Sequence, residues 1–235
     1  MAPKRSASKG KVDEATVGEA EVHGWKSSKC TESHLLNLVE SHLLQPQKVI
    51  HWRGSVGESF PHEGRNESVV FPPHVLRGLG FPLFDFCGLL YYWGVQVHHL
   101  TPNSIIHISI FVHLCEAFLG IELHFDLFQY FFHLKPHPNE SKVDVVGGAG
   151  LQFHQGRKPK YIPYDLSDKV IDWKSMWFYI RNLSSSLPLC TTGHLVKKSN
   201  WNSKGSGGDQ VSFLLGEIER LKADHQICGA SVIAS

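Results

Sequence analysis

Apolar positions along the chain fall into three regimes. Residues 1–30 are rich in Lys, Ser, Glu and Gly and carry no apolar period, which predicts a disordered tail. From Thr31 the spacing becomes helical. TESHLLNLVESHLL sets Leu35, Leu36, Val39 and Leu43 on one stripe, with Thr31 as cap and Pro46 as stop. Residues 46–68 read as loop with a short extended piece at Val49–Trp52. A brief strand follows at Val69–Phe71, then a short helix near Val75–Leu79. Pro82 opens an apolar helix over Leu83–Trp93, and Leu100–Gly120 is the longest apolar segment. It carries its own punctuation: Thr101 as N-cap, Pro102 in the first turn and Gly120 past the end. His124–Phe132 makes a further helix with Phe125, Leu127, Phe128, Phe131 and Phe132.

Beyond Pro136 the period shortens. Val143–Val146 and Leu151–His154 flank Gly147-Gly148-Ala149-Gly150, which predicts a hairpin with a glycine turn, and Trp177–Ile180 is a candidate third strand. Residues 183–209 turn Ser-, Gly- and Lys-rich and read as a flexible linker. Gln210–Ala223 then places Val211, Leu214, Leu215, Ile218 and Leu221 at helical spacing. The expected fold is mainly α: a compact helical bundle with a small appended β-hairpin or sheet over residues 31–182. An amphipathic helix and a truncated end fill residues 210–235. Ile105, Ile108, Phe111, Val112, Leu114 and Phe118 are the expected core of the long helix.

Charge and cysteine usage narrow the classes. Lys and Arg number 23 against 22 Asp and Glu, for a net charge of +1, which argues against a dedicated nucleic-acid coat and leaves room for local basic patches. The five cysteines (Cys30, Cys87, Cys115, Cys190, Cys228) include no C-x-x-C pair, so neither a zinc ribbon nor a redox motif is present. Reduced thiols and an intracellular setting, nucleus or cytoplasm, are the expectation. Ile105–Ile121 is short for roughly 30 Å of hydrocarbon and contains His107, His113 and Glu116, so it reads as a core helix, with no membrane partner.

Sixteen histidines invite a metal hypothesis, but their spacing does not support one. His98 and His99 are adjacent and point apart on a regular element. His107 and His113 lie about 240° apart around a helix. His113 and Glu116 share a face without a second copy of the pair. Neither a metal nor a cofactor is expected. There is no G-x-S-x-G elbow, Cys115 reads as an inert buried thiol, and Gly147–Gly150 lacks the ending of a phosphate loop. Asp85 and Glu122 are spaced like two acids of an integrase-type site, but Asp85 falls in a helical, Phe-flanked stretch, so the spacing is read as chance. The best nucleic-acid candidate is Arg157, Lys158 and Lys160 followed by Tyr161 and Tyr164, where cations could neutralise phosphate while tyrosines stack on bases. A solvated basic loop is the plainer alternative.

The wording of the central segment says more than its composition. FPPHVLRGLGFPLFDFCGLLYYWGVQVHHLTPNSIIHISIFVHLCEAFLGIELHFDLFQYFFHLKP resembles the plant family of gypsy-type transposon (transposase) proteins. The resemblance is carried by Gly78–Phe81, Gly88–Tyr92, His99–Ile108 and Leu114–Ile121. His51-Trp52-Arg53, Gly147-Gly148 and Trp173 through Tyr179 extend it, so that it spans roughly residues 33–223. Thr101 and Leu123 stand where the family has Asn and Pro, and its members run further than this chain, so truncation is expected. The resemblance implies association with retroelements and supplies no catalytic residues. It implies a non-enzymatic, Gag-like or scaffold protein acting through protein–protein contacts or self-association, with weak nucleic-acid binding. A DNA-transposition enzyme is the rival and requires Asp85, Glu116, Glu122 or Asp126 to converge. A non-functional element remnant is the third reading.

Overall fold

The structure, a computed structural model, describes residues 23–62, 67–80, 84–137, 145–164, 166, 170–181, 198–205 and 207–224, with the backbone alone for 84–87. Its helices are α1 (Glu32–Glu40), α2 (Gln47–Ile50), α3 (Pro72–Val75), α4 (Phe84–Trp93), α5 (Pro102–His113), α6 (Phe125–Phe131) and α7 (Asp209–Ala223). Its strands are β1 (Trp52–Gly54), β2 (Glu67–Val70), β3 (Phe132–Pro136), β4 (Ala149–Phe153) and β5 (Phe178–Arg181).

α5 is the central element, and its ends form where local chemistry dictates. The Thr101 hydroxyl accepts the Ser104 N–H at 3.3 Å, and Pro102 follows, where its missing N–H costs nothing. The helix continues past His113 as a π-helical stretch, Leu114–Leu119, which stops at Gly120 in the left-handed conformation (φ 63°). Among the described residues, Pro102–Leu119 is the helix long and apolar enough to cross a membrane. Here Ile105, Ile108, Phe111 and Leu114 are buried in the core, while Val112 and Phe118 lie half-buried at its margin.

The mainly α expectation is overturned. Among the described residues the helices are joined by two antiparallel sheets, so the fold is mixed α/β, and the strands are built into the core. One sheet has the order β1-β5-β2, pairing Trp52 with Ile180 and Val70 with Phe178. The other pairs β3 with β4, Phe132 opposite Phe153 and Leu134 opposite Leu151. Gly147-Gly148 does form a turn before β4. Yet the partner of β4 is β3, directly after α6, and not Val143–Val146, of which 143–144 lie outside the described residues. β5 joins the other sheet. Pairing follows which apolar faces meet across the core, information that a local period does not carry.

Both edges of the β3–β4 sheet are occupied. The Leu151 N–H donates to Ser104 Oγ at 2.9 Å and Thr101 N–H to the Ala149 carbonyl at 3.2 Å, so the first turn of α5 completes the β4 edge. The Leu134 N–H donates to the Trp201 carbonyl at 3.0 Å on the β3 side. Trp201 is itself buried, with Nε1 donating to the Trp93 carbonyl at 3.0 Å. Residues 198–205 are therefore packed and not linker-like. Residues 183–197 and 206 lie outside the described residues. α7 is likewise integral, burying Val211, Leu214, Ile218 and Leu221 in the same core.

Two further expectations change. On α1, Leu35 and Leu38 face inward while Leu36 is about half exposed (49%), and Leu43 (45%) lies past the end of the helix at Glu40, so the stripe does not run on to it. Of the tail expected over 1–30, residues 23–30 are instead anchored: Cys30 is fully buried, and Ser28 and Lys29 donate to the Glu58 and Ser175 carbonyls, each at 2.8 Å.

Candidate functional site

The basic loop leaves β4 at His154, whose N–H donates to the Phe131 carbonyl at 2.8 Å. A turn at Gly156 (φ 74°) leads to Arg157 and a 3-10 turn over Lys158–Lys160. α7 holds this turn from one side, with Lys222 Nζ donating to the Pro159 carbonyl at 2.9 Å and pairing with Glu219 at 3.1 Å.

The predicted cluster divides. Arg157 lies over the Tyr130 ring, 3.9 Å from its centroid, and donates to the Tyr130 hydroxyl, so its guanidinium is engaged within the fold. Lys158 and Lys160 are exposed. Tyr161 is not a stacking platform: only 1% of it is accessible, and its ring packs among Phe111, Phe131, Phe132 and Phe153. Its hydroxyl makes no hydrogen bond, and burial pushes its pKa well above the ordinary phenol value. Tyr164 is also buried, and its hydroxyl pairs closely with His107 Nδ1. The apolar demand of the core claims both tyrosines, leaving the loop cationic side chains without an accessible ring.

The buried and half-buried titratable groups share one main cause of perturbation. Desolvation lowers His74 to about 3 and His107 to about 4, with Lys158 adding to the effect on His107. Desolvation also raises the Cys30 thiol to about 12 and the Cys115 thiol to about 11. All four are held neutral, and both thiols are poor nucleophiles at neutral pH.

Of the acids in the enzymatic rival, Glu116, Glu122 and Asp126 are exposed, and the Asp85 side chain lies outside the described residues. Among the described residues no three His, Cys, Asp or Glu side chains come together as a metal-holding group.

Sequence reasoning missed a second constellation, an aromatic seat with histidines. Phe71 and Trp173 meet edge to face at 4.8 Å, with fully buried His74 tilted against both at 5.1 and 5.3 Å. Trp25 lies parallel to Phe71 at 6.0 Å, meets Trp177 edge-on at 5.6 Å and covers His98 at 5.2 Å. Gly147 belongs to this seat, since a Cβ there would fall 2.7 Å from the Trp173 ring. One signal was available: Trp25 is the sole Phe, Tyr or Trp in the first thirty residues.

Residues 69–136 match the family described as putative gypsy type transposon. The matched segment runs from β2 to β3 and so includes α5 and its π-helical end, while the basic loop and α7 lie beyond it. The match likens this segment to a gypsy-type transposon domain, which supports a transposable-element origin for the protein. Neither the curated proteins nor the solved structures yield a match to the chain.

Proposed function

We propose that this gypsy-type protein is a non-enzymatic, Gag-like or scaffold component encoded by a plant retrotransposon, working in the nucleus or cytoplasm through protein–protein contacts. The observation that carries the element assignment is the match over residues 69–136. The non-enzymatic part rests on electrostatics. Catalytic groups are tuned by burial together with a specific charge partner, whereas His74, His107, Cys30 and Cys115 are displaced chiefly by burial, each toward its neutral form.

Nucleic-acid binding is a weak accessory activity in this reading. Lys158 and Lys160 supply two phosphate contacts, and the burial of Tyr161 and Tyr164 removes base stacking. Two contacts on duplex DNA give a slope of log K against log salt of about −1.8. A titration of the full chain with labelled duplex and single-stranded DNA over a salt series tests this. Lys158→Ala with Lys160→Ala abolishes the salt-dependent term, and binding unchanged in the double variant removes the loop from the proposal. Strand cleavage or joining by the purified chain in the presence of magnesium or manganese would refute the non-enzymatic reading.

A further inference from the structure

α7 has two unlike faces. Val211, Leu214, Ile218 and Leu221 are buried in the core. At about 100° per residue, Asp209, Phe213, Gly216 and Arg220 fall within about 60° of arc on the side away from them. All four are exposed. Phe213 stands out among them, with 67% of its surface accessible on a face that otherwise carries charge and glycine. Their spacing alternates four, three and four residues, which is the spacing of a coiled-coil seam.

The seam holds a knob, a hole and opposite charges. Gly216 follows Phe213 by three residues, so the two are surface neighbours. A Cβ at Gly216 would meet nothing within 4 Å, so the space above its backbone is open. Asp209 stands in the first turn of the helix and Arg220 in the last. Arg220 donates to Glu217 at 2.8 and 3.2 Å and to Asp224 at 3.5 Å. These are exposed pairs that contribute little and exchange readily. When two copies of α7 cross antiparallel about a point between Leu214 and Leu215, Phe213 of each faces Gly216 of the other. The same register sets Asp209 against Arg220 at both ends. Both pairings arise from one two-fold axis, as an isologous contact requires. A parallel pairing in register would instead oppose Asp209 to Asp209 and Arg220 to Arg220.

We propose that α7 is a self-association surface that pairs antiparallel with α7 of a second copy of this chain, Phe213 seated over Gly216 and Asp209 joined to Arg220. The inference rests on the scaffold reading above and names its partner. Glycine at the crossing lets the helix axes approach closely, and the ring covers backbone that glycine leaves bare. Antiparallel pairing also sets the positive end of each helix dipole beside the negative end of the other. A four-residue seam on one 15-residue helix buries less than a standard interface, so the dimer is weak and the dilute chain is monomeric.

Sedimentation equilibrium of the full chain reads this directly. At submillimolar concentration the wild type approaches twice its 26.4 kDa monomer mass. Phe213→Ser stays monomeric at the same concentration, with unchanged near-UV circular dichroism. Asp209→Arg and Arg220→Glu each lose association, because each places like charges opposite one another at both ends of the seam. Mixed in equal amounts, these two variants associate again, since every crossing pair then joins opposite charges. A wild type that remains monomeric overturns the proposal, as does a dimer that survives Phe213→Ser. Folded charge variants that stay apart on mixing overturn it too, because the antiparallel register demands their rescue. Strand cleavage or joining tests the scaffold reading separately, so the two failures are told apart.

Discussion

Replacing His74 with leucine separates the cost of burying an imidazole from the benefit of packing one. His74 is fully buried against Phe71 and Trp173, and neither ring nitrogen makes a hydrogen bond of good geometry. Burial lowers its pKa to about 3, opposed weakly by the Leu100 backbone. In the unfolded chain the same imidazole titrates near 6.5. Below pH 6.5 the unfolded state therefore binds a proton that the folded state refuses, so stability falls as pH falls, and the loss saturates only near pH 3. For this residue the loss from pH 7.5 to 5.0 is about 2 kcal/mol. At pH 7.5 two effects compete in His74→Leu: relief of an unsatisfied buried polar group, about 1–3 kcal/mol, and an imperfect fit costing up to about 1.5 kcal/mol. The variant is thus close to neutral at pH 7.5 and gains about 2 kcal/mol over the wild type by pH 5.0. Urea unfolding of both proteins at pH 7.5, 6.5, 5.5 and 5.0 measures the difference. Two stability curves that stay parallel across this range would refute the assignment of His74 as a buried imidazole held neutral.

Phe111→Ala removes a fully buried ring that meets Phe128 at 5.0 Å and costs about 3–5 kcal/mol in denaturant unfolding. Val112→Ala, half-buried at the margin of the core, costs clearly less, and equal losses would contradict the assigned faces of α5. Two glycines give opposite signs in the same measurement. Gly78→Ala is destabilising by more than about 1 kcal/mol, since Gly78 has φ 91° and a Cβ would lie 2.8 Å from Ser109 Oγ. Gly216→Ala, within α7 and facing open space, stabilises by roughly 0.5–1 kcal/mol.

The local grammar of the fold is legible in the linear chain. Thr31 and Thr101 cap helices, Pro102 opens α5, Gly120 closes its π-helical end, and the wording from β2 to β3 identifies the gypsy-type segment. These features depend on neighbours within about one helical turn, so a linear pattern contains them. The candidate loop was legible only as charge. Lys158 and Lys160 reach solvent, but nothing local distinguishes an outward tyrosine from one that fills the space between Phe111 and Phe132, as Tyr161 does.

Strand pairing, the docking of Trp25 and the membership of α7 in the core are set by long-range contacts. β5 lies between β1 and β2, more than a hundred residues away in the chain, and Trp25 meets Trp177 across a similar span. Such contacts are settled by competition among all apolar faces for a finite interior, and by the need to satisfy every backbone group that enters it. A strand edge closed by Ser104 and Trp201 answers that need, and it becomes visible only once the distant segments are side by side.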